Sequence, residues 1–348
     1  MFEHFDDPKP PSPDPEGCTR VVGRARQRRR RRRRRVAVST TGFVAVGVLA
    51  VAGFFVTEAR RLDSVNRVDV ATQPSSEPGV QTILVVGTDR GVSSAMVGAG
   101  AGADAIAAIR IDGAAHTVSV LAIPRDLALA DSATGNPATV SAIFRSRGPS
   151  GLISSIQDAL RVDVSHYIQV DPAGFAALID STNGVEVRSS ASLRDLRSGF
   201  RLPGGVCTQL DGESALALAR SRFVEVDRGG RWEPDGLSDI GRMQRENILG
   251  RALLDSLQRA NLADPVSLDH LVDAFVDHVT VDAGLHRDDL IDLVRTVRSI
   301  PVGQISTAWL PLDIGEQPDG ATSFELGPDW QATVDEFTSG QVLPGVDP

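Results

Sequence analysis

Hydrophobic positions are spread unevenly along the chain. Val36–Val56 is a run of 21 residues without a charge, "VAVSTTGFVAVGVLAVAGFFV". As a helix that length crosses a hydrocarbon core of roughly 30 Å. After a Pro/Ser-rich stretch, "TQPSSEPG", the pattern changes to short apolar runs alternating with helical periodicity. "TILVVG" (82–87) predicts a buried strand, and "AIAAIRID" and "VSVLAIP" around "GAAH" predict a hairpin. "GPSGLISSIQDALRV" predicts a helix, "HYIQV" a strand, and "PAGFAALIDST" a helix with proline near its start. "GVEV" follows as a strand and "DGESALALARS" as a helix with an acidic first turn. Three further helices are expected at "SDIGRMQRENILGRALL", "PVSLDHLVDAFVDHV" and "HRDDLIDLVRTVRSI", then a strand at "ISTAWLPL". The alternation predicts a layered α/β domain. The Gly/Pro/Asp-rich end is expected to pack loosely.

Charge divides the chain in two. Residues 1–35 carry a net charge of +7, with eight consecutive arginines at 28–35, and the remainder carries −16. A basic flank stays on the cytoplasmic side, so the uncharged run reads as a single-pass anchor, N-terminus in the cytoplasm and the rest outside. A cleaved signal peptide is the competing reading; the apolar run is long for one, and no clear small-residue cleavage site follows. The arginines alone would also suit a nucleic-acid tail. Their junction with an apolar 21-mer favours anionic membrane lipids as the contact, with no nucleic acid. The expected organisation is a basic cytoplasmic tail (1–35), a transmembrane helix in the cell membrane (36–57), an extracytoplasmic linker (58–80), a folded domain (81–312) and a C-terminal tail (313–348). The two cysteines, Cys18 and Cys207, fall on opposite sides of that span, which makes Cys207 a lone thiol. The six histidines are scattered without metal-ligand spacing.

Five charged residues stand out at and beyond the end of the helix "DGESALALARS". Arg220 and Arg222 lie two apart in "ARSR"; Asp239, Arg242 and Arg245 recur every three residues on one helix, with Ser238 a suitable N-cap. Guanidinium groups stay charged and grip phosphate oxygens with a planar fork. A helix start adds amide donors. The pattern therefore suits a polyanion site, and equally a solvated, salt-bridged helix. Asp89 in "VVGTDRG" and Asp104 in "GAGAGADAIAAI" sit at strand ends, where carboxylates can hold a divalent cation or serve as turn residues. Arg125 and Asp126 end the strand "VSVLAIPRD".

The order "VVGTDR", "GADAIAAIRID", "VSVLAIPRD", "HYIQVDPAGFAALID", "NGVEV", "LDGESALALARSR", "SDIGRMQRENIL" resembles the LytR-CpsA-Psr family of cell-wall glycopolymer ligases. The resemblance implies an α/β/α sandwich with a central mixed β-sheet. It implies transfer of a glycopolymer phosphate from a polyprenyl-diphosphate carrier to peptidoglycan, with Mg²⁺ or Mn²⁺ held by Asp89 and Asp104. Arg125, Arg220, Arg222 and Arg242 would bind the pyrophosphate, with Asp126, Asp239 and Arg245 as catalytic-motif positions in support. The chain departs from the family pattern in three places. Gly102-Ala103-Asp104-Ala105 stands for a usual Arg-x-Asp-Thr, Thr139-Val140-Ser141 for Lys-x-Asn, and Glu246-Asn247 for a Gln pair. These losses keep open an alternative, a weak or inactive relative that binds polyprenyl phosphates or wall polymer as a scaffold or regulator.

Overall fold

The computed structural model describes residues 62–75, 77–89, 102–236, 276–301, 304–316 and 322–340. It also describes 19–21, 36–37 and positions 241, 245, 248–250, 252, 253 and 256. A seven-stranded sheet forms the centre. Its strands are β1 (Asn66–Val68), β2 (Val80–Thr88), β3 (Ala103–Asp112), β4 (Thr117–Ile123), β5 (His166–Val170), β6 (Val279–Asp282) and β7 (Ile305–Trp309). Their spatial order is β7-β4-β3-β2-β5-β6-β1. The sheet is mixed: β7 is parallel to β4 and β5 to β2, whereas β2–β3, β3–β4 and β5–β6 are antiparallel.

Helices cover both faces. α1 (Val140–Leu160) and α5 (Trp330–Ser339) close one side, where Phe144, Ile156, Val334 and Phe337 meet Leu84 and Val86 of β2. α2 (Pro172–Ser181), α3 (Gly212–Arg220) and α4 (Arg287–Ser299) close the other, where Phe175, Leu218 and Leu293 meet Ile83 and Val85. Successive residues of a strand point to opposite faces, and both faces of this one are covered; hence β2 reads as an unbroken apolar run. The mixed sheet between two helical layers agrees with the expected architecture.

Several boundaries differ from the sequence reading. α1 begins at Val140, well before the expected Gly148, with Thr139 as N-cap accepting the Ala142 N–H. Gly148 interrupts it at φ 66°, a conformation glycine tolerates, and Pro149 restarts it; Gly-Pro is therefore a kink and not a beginning. The expected linker contributes an edge strand, β1, and buries Val65. The C-terminal tail is not loose. Pro311–Glu316 and Thr322–Leu326 pair antiparallel, and α5 seats Val334 and Phe337, three apart on one face, in the core.

The N-terminal expectations fall largely outside the described residues. No helix among the described residues is long and apolar enough to cross a membrane, and most of 36–57 lies outside them. Val36–Ala37 pairs with Pro311–Leu312, and Thr19–Val21 runs parallel to Val187–Ser189. Cys207 is disulfide-bonded rather than a lone thiol. Cys18, the other cysteine of the sequence, lies outside the described residues.

Candidate functional site

One group of candidate residues forms where β2 and β3 separate. Asp89 and Gly102 face each other there: the Asp89 N–H donates to the Gly102 carbonyl at 3.1 Å, and the Gly102 N–H donates to Asp89 Oδ1 at 2.8 Å. The strand register slips just before this point. Gly87 stands opposite Ala105 but Thr88 opposite Ala103, which leaves Asp104 as the extra residue of a β-bulge. A bulge re-aims its unpaired side chain. Asp104 thus turns to meet Arg125, whose Nη1 donates to its Oδ1. Arg125 Nε donates to Asp126 Oδ2 at 3.3 Å. Burial pulls the Arg125 pKa down, but the charges of Asp126 and Asp104 and their hydrogen bonds outweigh it, so its pKa is raised and the guanidinium stays charged. The backbone here is braced as well: Ser141 N–H donates to the Arg125 carbonyl at 2.9 Å, docking the start of α1 on the loop that carries Arg125.

A second group of candidate residues lies on the loop that ends α3. The helix is capped by Asp211 and runs out at Ser221, so Arg220 closes the last turn and is exposed while Arg222 follows half-buried. Asp195, 1% exposed at the end of strand Leu193–Asp195, holds this loop. Its Oδ2 accepts the N–H groups of Arg222 and Phe223, each at 3.0 Å, and its Oδ1 accepts those of Arg197 and Ser198. Burial raises the Asp195 pKa, but the backbone donors, Phe223 first, more than offset it and hold the carboxyl below its ordinary value. Arg245 works from below. It is 4% exposed, donates from Nη2 to the Ser221 carbonyl at 2.6 Å, and pairs with Asp235 at 3.1 Å.

The structure thus joins Asp104, Arg125 and Asp126 in one ion-paired group, sets Asp89 beside Gly102, and ties Arg222 and Arg245 to a common loop. Arg245 is a buried brace and not an open anion ligand. Asp239 and Arg242 lie outside the described residues. Asp195 escaped the sequence reading. It is a lone acid in "SLRDLRSGF", and its partners in the arginine loop are 27 and 28 residues away.

The donor set suits a hard divalent cation. Asp89 and Asp104 offer carboxylate oxygens, and Mg²⁺ commonly takes only one or two carboxylates, filling its shell with water and phosphate oxygens. No group of three acidic, histidine or cysteine side chains gathers among the described residues. Any such cation would therefore depend on a phosphate ligand for part of its shell.

Comparison with known proteins places residues 52–336 in the LytR_cpsA_psr family. The cell wall biosynthesis protein LcpA of Corynebacterium glutamicum is 24% identical over 79% of this chain and 59% of its own length. This chain therefore spans well under two thirds of that relative. A polyisoprenyl-teichoic acid–peptidoglycan teichoic acid transferase, TagU, of Halalkalibacterium halodurans is 24% identical over 65% of this chain and 68% of its own. Among solved structures, a LytR-Csp2A-Psr enzyme from Actinomyces oris superposes with a TM-score of 0.65 at 27% identity, covering 78% of this chain and 95% of that one.

Proposed function

This chain belongs to the LytR_cpsA_psr family, and from that premise we propose that it is a membrane-anchored phosphotransferase. It would move a glycopolymer, with its attached phosphate, from a polyprenyl-diphosphate carrier to peptidoglycan. The observation that carries the reading is the Asp104–Arg125–Asp126 group beside Asp89, a charged cluster built on a bulge at the end of the sheet. A hydroxyl of peptidoglycan attacks the phosphorus nearer the glycan. The new O–P bond forms as the bridging P–O bond breaks, the hydroxyl gives up its proton, and polyprenyl phosphate leaves. Such a reaction depends mainly on positioning and charge neutralisation. Arg125, Arg220 and Arg222 supply fixed positive charge for oxygens that gain negative charge as the bridge breaks. When bound at Asp89 and Asp104, Mg²⁺ or Mn²⁺ would offset the negative charge that builds on the departing polyprenyl phosphate. Anchoring rests on the uncharged run 36–56 behind eight arginines.

One observation favours the scaffold reading. Thr139 stands where the family usually has a lysine, and its hydroxyl is occupied in capping α1. The test uses the full chain in detergent with a synthetic polyprenyl-diphosphate glycan, Mg²⁺ and peptidoglycan fragments. The transferase reading expects free polyprenyl phosphate and glycan joined to peptidoglycan. Binding of the donor without either product supports the scaffold; no binding of the donor sinks both.

A further inference from the structure

Gly102 leaves a gap, and another part of the chain fills it. A Cβ built on Gly102 would lie 3.1 Å from Asp89 Oδ2 and 3.5 Å from Nη2 of Arg145. The guanidinium of Arg145, from α1, therefore stands at the point into which a side chain at 102 would project. Arg145 is exposed and makes no hydrogen bond or ion pair with another described residue, whereas its neighbour Arg147 is paired with Asp131 at 3.6 Å. Its place is not incidental to the fold. Ser141, one helical turn earlier, is hydrogen-bonded to the Arg125 carbonyl, so the docking that positions Arg125 also sets the register of Arg145.

An unpaired guanidinium beside a carboxylate that already takes a backbone donor has capacity left for an anion. Arg125 is committed to Asp104 and Asp126, and these three groups with Asp89 sum to more negative than positive charge. A diphosphate entering there needs additional cations from outside the group. We propose that Arg145 is a diphosphate-binding residue of this site, presented by α1 into the space that Gly102 leaves open beside Asp89. The inference rests on the diphosphate-transfer reading above. It also assigns a reason to glycine at 102: any longer side chain there competes with Arg145 for the same volume.

The experiment measures binding of geranylgeranyl diphosphate and geranylgeranyl monophosphate to the full chain in detergent with Mg²⁺, by calorimetry. Arg145→Gln keeps a polar, amide-bearing side chain on the same stem and removes the charge. The expected result is about tenfold weaker diphosphate binding, the size of one lost charge-assisted contact. Monophosphate binding should change less, and the melting temperature should not move. Gly102→Arg placed on Arg145→Gln should recover most of the loss, since the new guanidinium enters the vacated space. Equal diphosphate affinity of wild type and Arg145→Gln would overturn the inference while leaving the transferase reading intact. A wild type that binds no diphosphate would overturn both.

Discussion

Arg245 donates a 2.6 Å hydrogen bond to the carbonyl of Ser221, the residue between Arg220 and Arg222. A buried arginine thus holds the peptide that carries two exposed or half-exposed ones. Its second contact, to Asp235, fixes the other end of its planar group. The two kinds of arginine should respond to substitution in opposite ways.

Arg245→Met removes a buried cation together with its hydrogen bonds to Ser221 and Asp235. Stability should fall by about 3–5 kcal/mol, the cost typical of breaking a buried pair. Arg220→Ala, at an exposed position, should change stability by only about 0.5 kcal/mol. It should lower the transfer rate on the order of a hundredfold, as loss of a donor to developing charge does. Urea unfolding curves and single-turnover transfer assays on the same preparations check this. An Arg220→Ala protein with full transfer rate would remove Arg220 from the site.

Asp195 connects the arginine loop to pH. Its folded pKa is depressed by backbone donors, so its stabilisation is fully present above the ordinary carboxylate value of about 3.9. That stabilisation is lost as pH falls through the lower folded value. Asp195→Asn should destabilise the protein by about 1.5–3 kcal/mol at neutral pH, the worth of hydrogen bonds to a charged acceptor. The difference from wild type should shrink below about pH 4. Denaturant midpoints measured from pH 7 to pH 3 would show it; a constant difference across that range contradicts a carboxylate held by these donors.

Asp104→Ala separates a metal ligand from a turn residue. The ion pair with Arg125 is part-exposed, and such pairs contribute about 1 kcal/mol or less, so the fold should survive with little change. The Mg²⁺ concentration needed for half-maximal transfer should rise strongly. If it stays at the wild-type value, Asp104 holds no cation.

The proposed membrane span places Cys207 outside the cell. In intact cells a membrane-impermeant maleimide should therefore label Cys207 once a membrane-impermeant reductant has opened its disulfide. Labelling that appears only after the cells are permeabilised would end the single-pass topology.

Much of the sheet was legible because its period is short and local. Ile83 to Val86 announce a strand covered on both faces, and the helices Pro172–Ser181 and Arg287–Ser299 carry their own caps and apolar spacing. What failed depended on distant partners. The beginning of α1 was missed because Gly148-Pro149 looks like a boundary from either side, whereas the helix before it is held by the Leu127 and Arg125 carbonyls. Arg125, Arg220 and Arg222 were visible as motif residues, yet neither the bulge that turns Asp104 toward Arg125 nor the Asp195 clamp has a local signature. A register slip is a relation between two strands. It cannot be read from either one.

The last described helix has a consequence for how the chain is made. α5 seats Val334 and Phe337 against the layer formed by Leu84, Leu121 and Phe144, residues synthesised some two hundred positions earlier. Until those final turns emerge, that face of the sheet is covered by α1 without α5. A chain threaded outward from its N-terminus would keep the apolar seat of Val334 and Phe337 open to water until its last turns arrive, and would need shelter by other proteins for that time.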